Sequence, residues 1–85
     1  MAVEDERPWA VVVHNDDVNT HIGVAYAVRE AYGLPAERGL MLADDVHNAG
    51  EAELTWCSGR EQAEETVRQL QLLGLRATVR GTSRG

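Results

Sequence analysis

At 85 residues the chain has room for one domain, and its 44% hydrophobic against 26% charged residues is the balance of a folded protein rather than a disordered one. A formal net charge of −6 repels phosphate backbones, which argues against nucleic acid and anionic membranes as partners and suits a basic partner or the positively charged start of a polypeptide. No run of about 18 apolar residues offers a membrane span, Met1–Pro8 lacks the basic-then-apolar order of a secretion signal, and the only cysteine, Cys57, leaves no internal disulfide, so a cytoplasmic location is expected.

Met1–Pro8 is acidic and polar and is expected to be a short disordered extension ahead of a core over residues 9–80. The core opens with Trp9-Ala10-Val11-Val12-Val13, a β-branched run that predicts a buried strand, stopped by the turn formers His14-Asn15-Asp16-Asp17. Asn19 or Thr20 can cap a helix running to about Tyr32, with Val24, Val28 and Ala31 at helical spacing and Gly33 as its left-handed stop. Pro35 opens a second helix that ends at Gly50, with Leu42, Val46 and Ala49 as its core stripe; Gly39 inside it costs about 1 kcal/mol relative to alanine. Glu51–Cys57 alternates, which predicts a half-exposed strand with Ala52, Leu54 and Trp56 on one face. Ser58 and Glu61 have the spacing of a capping box, and the helix they open buries Ala63, Val67, Leu70 and Leu73 before Gly74. Leu75, Ala77 and Val79 alternate with Arg76, Thr78 and Arg80 as a last strand, and Gly81–Gly85 is expected to be a flexible tail. The order strand-helix-helix-strand-helix-strand predicts an α+β fold, three helices on one face of a three-stranded antiparallel sheet.

Chemistry concentrates at two places. Two adjacent acids and an amide in Asn15-Asp16-Asp17 can bind an ammonium group through charge and acceptor oxygens, or can simply build the turn and cap the next helix. His47, beside the core stripe near the end of the second helix, is either a ligand-binding group or a helix-terminal histidine favoured by the dipole. His14, Asp16, Asp17, His21 and His47 carry metal-ligating groups, but no HExxH, paired cysteines or other recognised ligand spacing accompanies them. No phosphate-binding glycine loop is present, and a nucleophilic role for Cys57 or Ser58 has no supporting motif, so neither an enzyme nor a cofactor is expected.

Taken together, these features resemble the ClpS family of Clp protease adaptors over about residues 8 to 80. The resemblance rests on four landmarks in order: the strand running into His14-Asn15-Asp16-Asp17; Leu42, Val46, His47 and Gly50; Glu61-x-Ala63-Glu64; and Gly74-Leu75-Arg76-Ala77-Thr78. The stretch between Glu64 and Gly74 is shorter than in many relatives, similar to the compact forms of high-GC Gram-positive bacteria. The resemblance implies an adaptor that holds the α-amino group of a cargo protein with Asn15, Asp16 and His47, Asp17 also falling in the motif. It places the N-terminal side chain, bulky and apolar, in a pocket at Asn19, His21, Val24, Ala43, Val46 and Leu75. It also implies docking on the N-terminal domain of a ClpA- or ClpC-like AAA+ ATPase through Glu61 and Glu64, and a short delivery segment in Met1–Pro8. Family members commonly carry methionines at the positions of His21 and Ala43. That departure favours an alternative, a regulator of the same fold that binds the ATPase and reads no N-terminal residue. A small metal-assisted hydrolase is the enzymatic alternative.

Overall fold

In the computed structural model, which describes residues 7–81, Trp9–His14 forms the central strand β1. It pairs antiparallel with β2 (Glu51–Cys57) on one side and β3 (Arg76–Gly81) on the other, giving the order β2-β1-β3. A continuous apolar run is what a strand covered on both faces requires, and Ala10, Val11, Val12 and Val13 are all fully buried. Val11 and Val13 join the core with residues of three helices, α1 (His21–Tyr32), α2 (Ala36–Ala49) and α3 (Arg60–Leu72). The fold is therefore α+β, with three helices and a three-stranded antiparallel sheet. On the other face Ala10 lies between Trp56 and Arg80, and Arg80 Nη1 reaches Glu51 Oε2 at 2.8 Å across the central strand. That contact holds the Glu51 carboxyl below its ordinary value. The expected disordered extension and tail lie largely outside the described residues. Gly81 itself belongs to β3 and packs on the Trp9 ring, where a Cβ would fall 2.8 Å from Cζ3.

Helix ends follow the sequence at α1 and α2 and depart from it at α3. Thr20, rather than Asn19, caps α1, its Oγ1 accepting the Gly23 N–H at 3.0 Å. Gly33 and Gly50 end α1 and α2 with left-handed φ of 85° and 90°. Ser58 does not cap α3: Gly59 takes the extended N-cap conformation one residue later and no side chain caps the helix, so Glu61 occupies its second position rather than its third. Leu73 caps the end of α3 and Ala49 closes α2, and both are exposed instead of joining the core stripes.

The alternation expected in Glu51–Cys57 is broken by a bulge. Val11 pairs with Thr55 and Val12 with Glu53, so Leu54 is an extra residue on β2. Ala52 and Leu54 pack on the core as expected, but beyond the bulge the parity inverts. Cys57 enters the core opposite Trp9, and Trp56 moves to the outer face opposite Ala10. Burial pushes the Cys57 thiol up, as an apolar setting does.

Gly39 marks the closest approach of the helix pair. A Cβ there would lie 3.1 Å from both Cα and Cβ of Ala25 on α1 and 3.3 Å from the Ala25 carbonyl oxygen. The intrinsic cost of glycine in a helix is thus exchanged for a near backbone-to-backbone crossing. One turn from this crossing on each helix stand His21 and Ala43. Gly39→Ala gains about 1 kcal/mol of helix propensity, but its methyl meets main-chain atoms that cannot swing aside, and overpacking costs about 1–3 kcal/mol. A lowered thermal midpoint is expected, with a larger drop for Gly39→Val; a rise for Gly39→Ala would show that the helices part freely.

Candidate functional site

The site begins where β1 runs out. The Asn15 N–H donates to the carbonyl of Gly50 at 2.9 Å, tying the loop after β1 to the turn that ends α2. Asp16 then organises the loop. Its Oδ1 accepts the N–H groups of Val18 (2.9 Å) and Asn19 (2.8 Å), and its Oδ2 accepts the Asn19 side-chain amide at 3.0 Å. The same Asn19 amide donates to the Gly74 carbonyl at 2.9 Å, which anchors the loop to the turn between α3 and β3. Asp16 is therefore the turn builder of the simpler reading, yet it is only partly buried and keeps unused lone pairs. The Asn19 backbone N–H, helped by the side-chain amide and by Val18, outweighs partial desolvation and holds the Asp16 carboxyl below its ordinary 3.8. The group stays charged at neutral pH and fixed in direction.

Opposite the loop stands the last part of α2. Asn15, Asp16, Asp17, Asn19, Thr20 and His21 on one side, and Ala43, Val46 and His47 on the other, line one open cleft of about 420 Å³ together with Val24 of α1. Val24, Ala43 and Val46 are buried residues of the core, so the apolar floor of the cleft is the edge of the core itself. His21 and His47 face each other with ring centroids 5.3 Å apart and planes tilted by 55°, and His21 Nε2 lies 3.6 Å from Asp44 Oδ1. His14, by contrast, turns to the sheet, its Nε2 at 2.8 Å from Thr78 Oγ1 and its Nδ1 3.5 Å from Glu51. Among the described residues no group of three or more His, Cys, Asp or Glu is arranged to hold a metal ion.

A model of the family described as ATP-dependent Clp protease adaptor protein ClpS matches residues 4–78 of the chain. The chain belongs to the ClpS family. It is 34% identical over 76 residues to the ATP-dependent Clp protease adapter protein ClpS of Streptomyces coelicolor, covering 89% of this chain and 78% of that protein. It is 36% identical over 77 residues to the ClpS of Streptomyces avermitilis, covering 89% and 71% of the two chains. In fold it is similar to Agrobacterium tumefaciens ClpS2, solved bound to L-phenylalaninamide, with a TM-score of 0.83 over 89% of this chain and 98% of that one at 21% identity.

The ClpS resemblance drawn from the sequence named ten cleft positions, and nine of them line the cleft. Leu75 does not; it is 4% exposed and packs in the core, one residue beyond the Gly74 carbonyl that anchors Asn19. Two residues at the site were not singled out. Thr20 lines the cleft as well as capping α1, and Asp44 stands beside His21 one turn before His47. The (i, i+3) spacing of Asp44 and His47 was the only available signal for the latter. Glu61 and Glu64 lie elsewhere, in the first turns of α3, both exposed, with Glu64 Oε2 accepting from Arg60 Nε at 2.9 Å.

Because its folded value is depressed, Asp16 contributes stability above the unfolded value near 4, and that contribution is lost as pH falls through the folded value. Asp16→Ala should therefore lower unfolding free energy at pH 7 by about 1–2 kcal/mol. The gap between the two proteins should close as denaturant titrations are repeated below about pH 4. A gap that stays constant down to pH 2 would show that the carboxylate's charge plays no part.

Proposed function

We propose that this ClpS-family protein binds other proteins by a free N-terminal residue in the cleft and presents them to a Clp AAA+ ATPase. One observation carries the reading: a charged, hydrogen-bonded carboxylate and the His47 imidazole stand around a cleft whose floor is apolar. An N-terminal residue has that pair of properties, an ammonium group on the same Cα as a side chain. Asp16 supplies the opposite charge through its remaining lone pairs, with Asp17 adding to the field, while the Asn15 side chain and the His47 ring supply directed acceptors. Val24, Ala43 and Val46 receive the side chain, whose burial contributes about 1.5–3 kcal/mol for a large apolar group. Charge thus selects a chain terminus and cavity shape selects the residue.

The exposed first turns of α3, with Glu61 and Glu64, form the proposed docking surface for the N-terminal domain of the ATPase. They adjoin the Trp9 end of β1, whereas the cleft opens at its His14 end; the strand separates the two by about 17 Å at 3.4 Å per residue. Cargo and ATPase can then be held at once. A regulator that engages the ATPase and leaves the cleft empty is the second reading, and His21, a polar ring beside the apolar floor of Val24, Ala43 and Val46, favours it.

Peptides beginning with a bulky residue should bind when the α-amino group is free and lose at least about tenfold in affinity when it is acetylated, the equivalent of one charged hydrogen bond. Equal affinity for the two forms, measured by fluorescence anisotropy, would contradict the reading. Glu64→Arg should weaken binding to the isolated ATPase N-terminal domain while peptide affinity is unchanged. Unchanged docking in that titration would place the contact elsewhere.

A further inference from the structure

His21 has no counterpart in the amine-binding chemistry of the proposed function, yet it stands in the cleft wall. It is the first residue of α1, its side chain is 45% exposed, and its ring faces that of His47. Its Nε2 is 3.6 Å from the Asp44 carboxylate, beyond ordinary hydrogen-bond length, and among the described residues neither ring nitrogen of His21 makes a hydrogen bond. In the open cleft the exposed ring leaves these nitrogens accessible to solvent. A guest that fills the cleft and covers the ring must supply a partner, or it leaves a desolvated polar atom behind.

Resting on the reading that the cleft takes N-terminal residues, we propose that His21 is its specificity-determining residue and selects aromatic side chains with a hydrogen-bonding tip, tyrosine and tryptophan, over phenylalanine and leucine. The apolar floor of Val24, Ala43 and Val46 suits the ring body, and Ala43, with one carbon in its side chain, leaves depth for a six-membered ring or an indole. A phenol both donates and accepts, so it pairs with His21 in either tautomer; an indole N–H donates to whichever ring nitrogen carries the lone pair, or to Asp44 beside it. Phenylalanine and leucine fill the same volume but cap His21 with carbon. A site built to bond a hydroxyl or N–H discriminates strongly against the analogue that lacks it, whereas an apolar pocket separates such analogues weakly. Asp44 lies beside the ring, with its Oδ1 3.6 Å from His21 Nε2, and does not itself define the choice between tyrosine and phenylalanine.

The test uses the full chain and a set of peptides identical except for a first residue of Tyr, Trp, Phe or Leu, each with a free and an acetylated amino terminus. The wild-type protein should bind the Tyr peptide about fivefold more tightly than the Phe peptide, the net worth of one neutral hydrogen bond. His21→Met should bring that ratio to near one, and His21→Gln should retain part of it, because the amide still donates and accepts. The ratio of free to acetylated affinities is measured beside it for each protein and reports amine recognition separately. Tyr and Phe peptides binding equally to the wild type, or a Tyr/Phe ratio that survives His21→Met, would overturn the assignment while leaving amine recognition standing. Failure of every free-terminus peptide to bind would overturn the assignment together with the function it rests on. Because His21 is an exposed helix-terminal residue outside the core, neither variant threatens folding, and matched circular dichroism spectra verify this.

Discussion

The near contact between Gly39 of α2 and Ala25 of α1 is the constraint on which the site depends. Only a residue without a Cβ allows the two helices to meet with main-chain atoms almost touching. One turn along α1 this brings His21 to the cleft, and one turn along α2 it brings Ala43, with Val46 and His47 following on the same side. Larger residues at the crossing would splay the helices and turn the cleft into a flat surface. The core beneath is built of small side chains, chiefly alanine and valine, which is what so close a packing of helices on a three-stranded sheet demands.

The second constraint is Asp16, which does two things with one carboxylate. Two backbone N–H groups and an amide fix it, and the amide in turn grips the turn between α3 and β3. The loop is thereby clamped on one side through Asn19 and on the other through the bond from Asn15 to Gly50. Hydrogen bonds to the charged form keep the carboxylate ionised, and among the described residues no cation salt-bridges it, so its field remains available to a positively charged visitor. Turn building and ammonium recognition, which are rival readings of Asp16 in the sequence, are compatible in space.

Much of this was legible in the residues. The run of one alanine and three valines, the glycines closing α1 and α2, and the spacing of Val46 and His47 are local signals, and each marks what it marks in isolation. What was not legible depends on register or on competition between neighbours. The bulge at Leu54 inverts the faces of β2 beyond it, and nothing in Glu51–Cys57 announces an extra residue. Ser58 has the spacing of a capping box, but Gly59 adopts the cap conformation instead. Leu75 sits just before β3, one residue past an anchor of the cleft loop, and packs in the core with Ala77 instead of lining the cleft. Asp44 becomes meaningful only when α1 is laid across α2.

The central claim is that the cleft between the β1–α1 loop and the end of α2 is where a polypeptide N-terminus is held. It is tested most directly by titrating the ¹⁵N-labelled protein with a short free-amine peptide beginning with tryptophan and mapping the amide shifts. The account predicts that perturbations concentrate on residues 15–21 and 43–47, with the first turn of α3 unaffected. Shifts confined to the outer face of the sheet or to α3, with the amides of Asp16 and His47 unmoved at saturation, would contradict it.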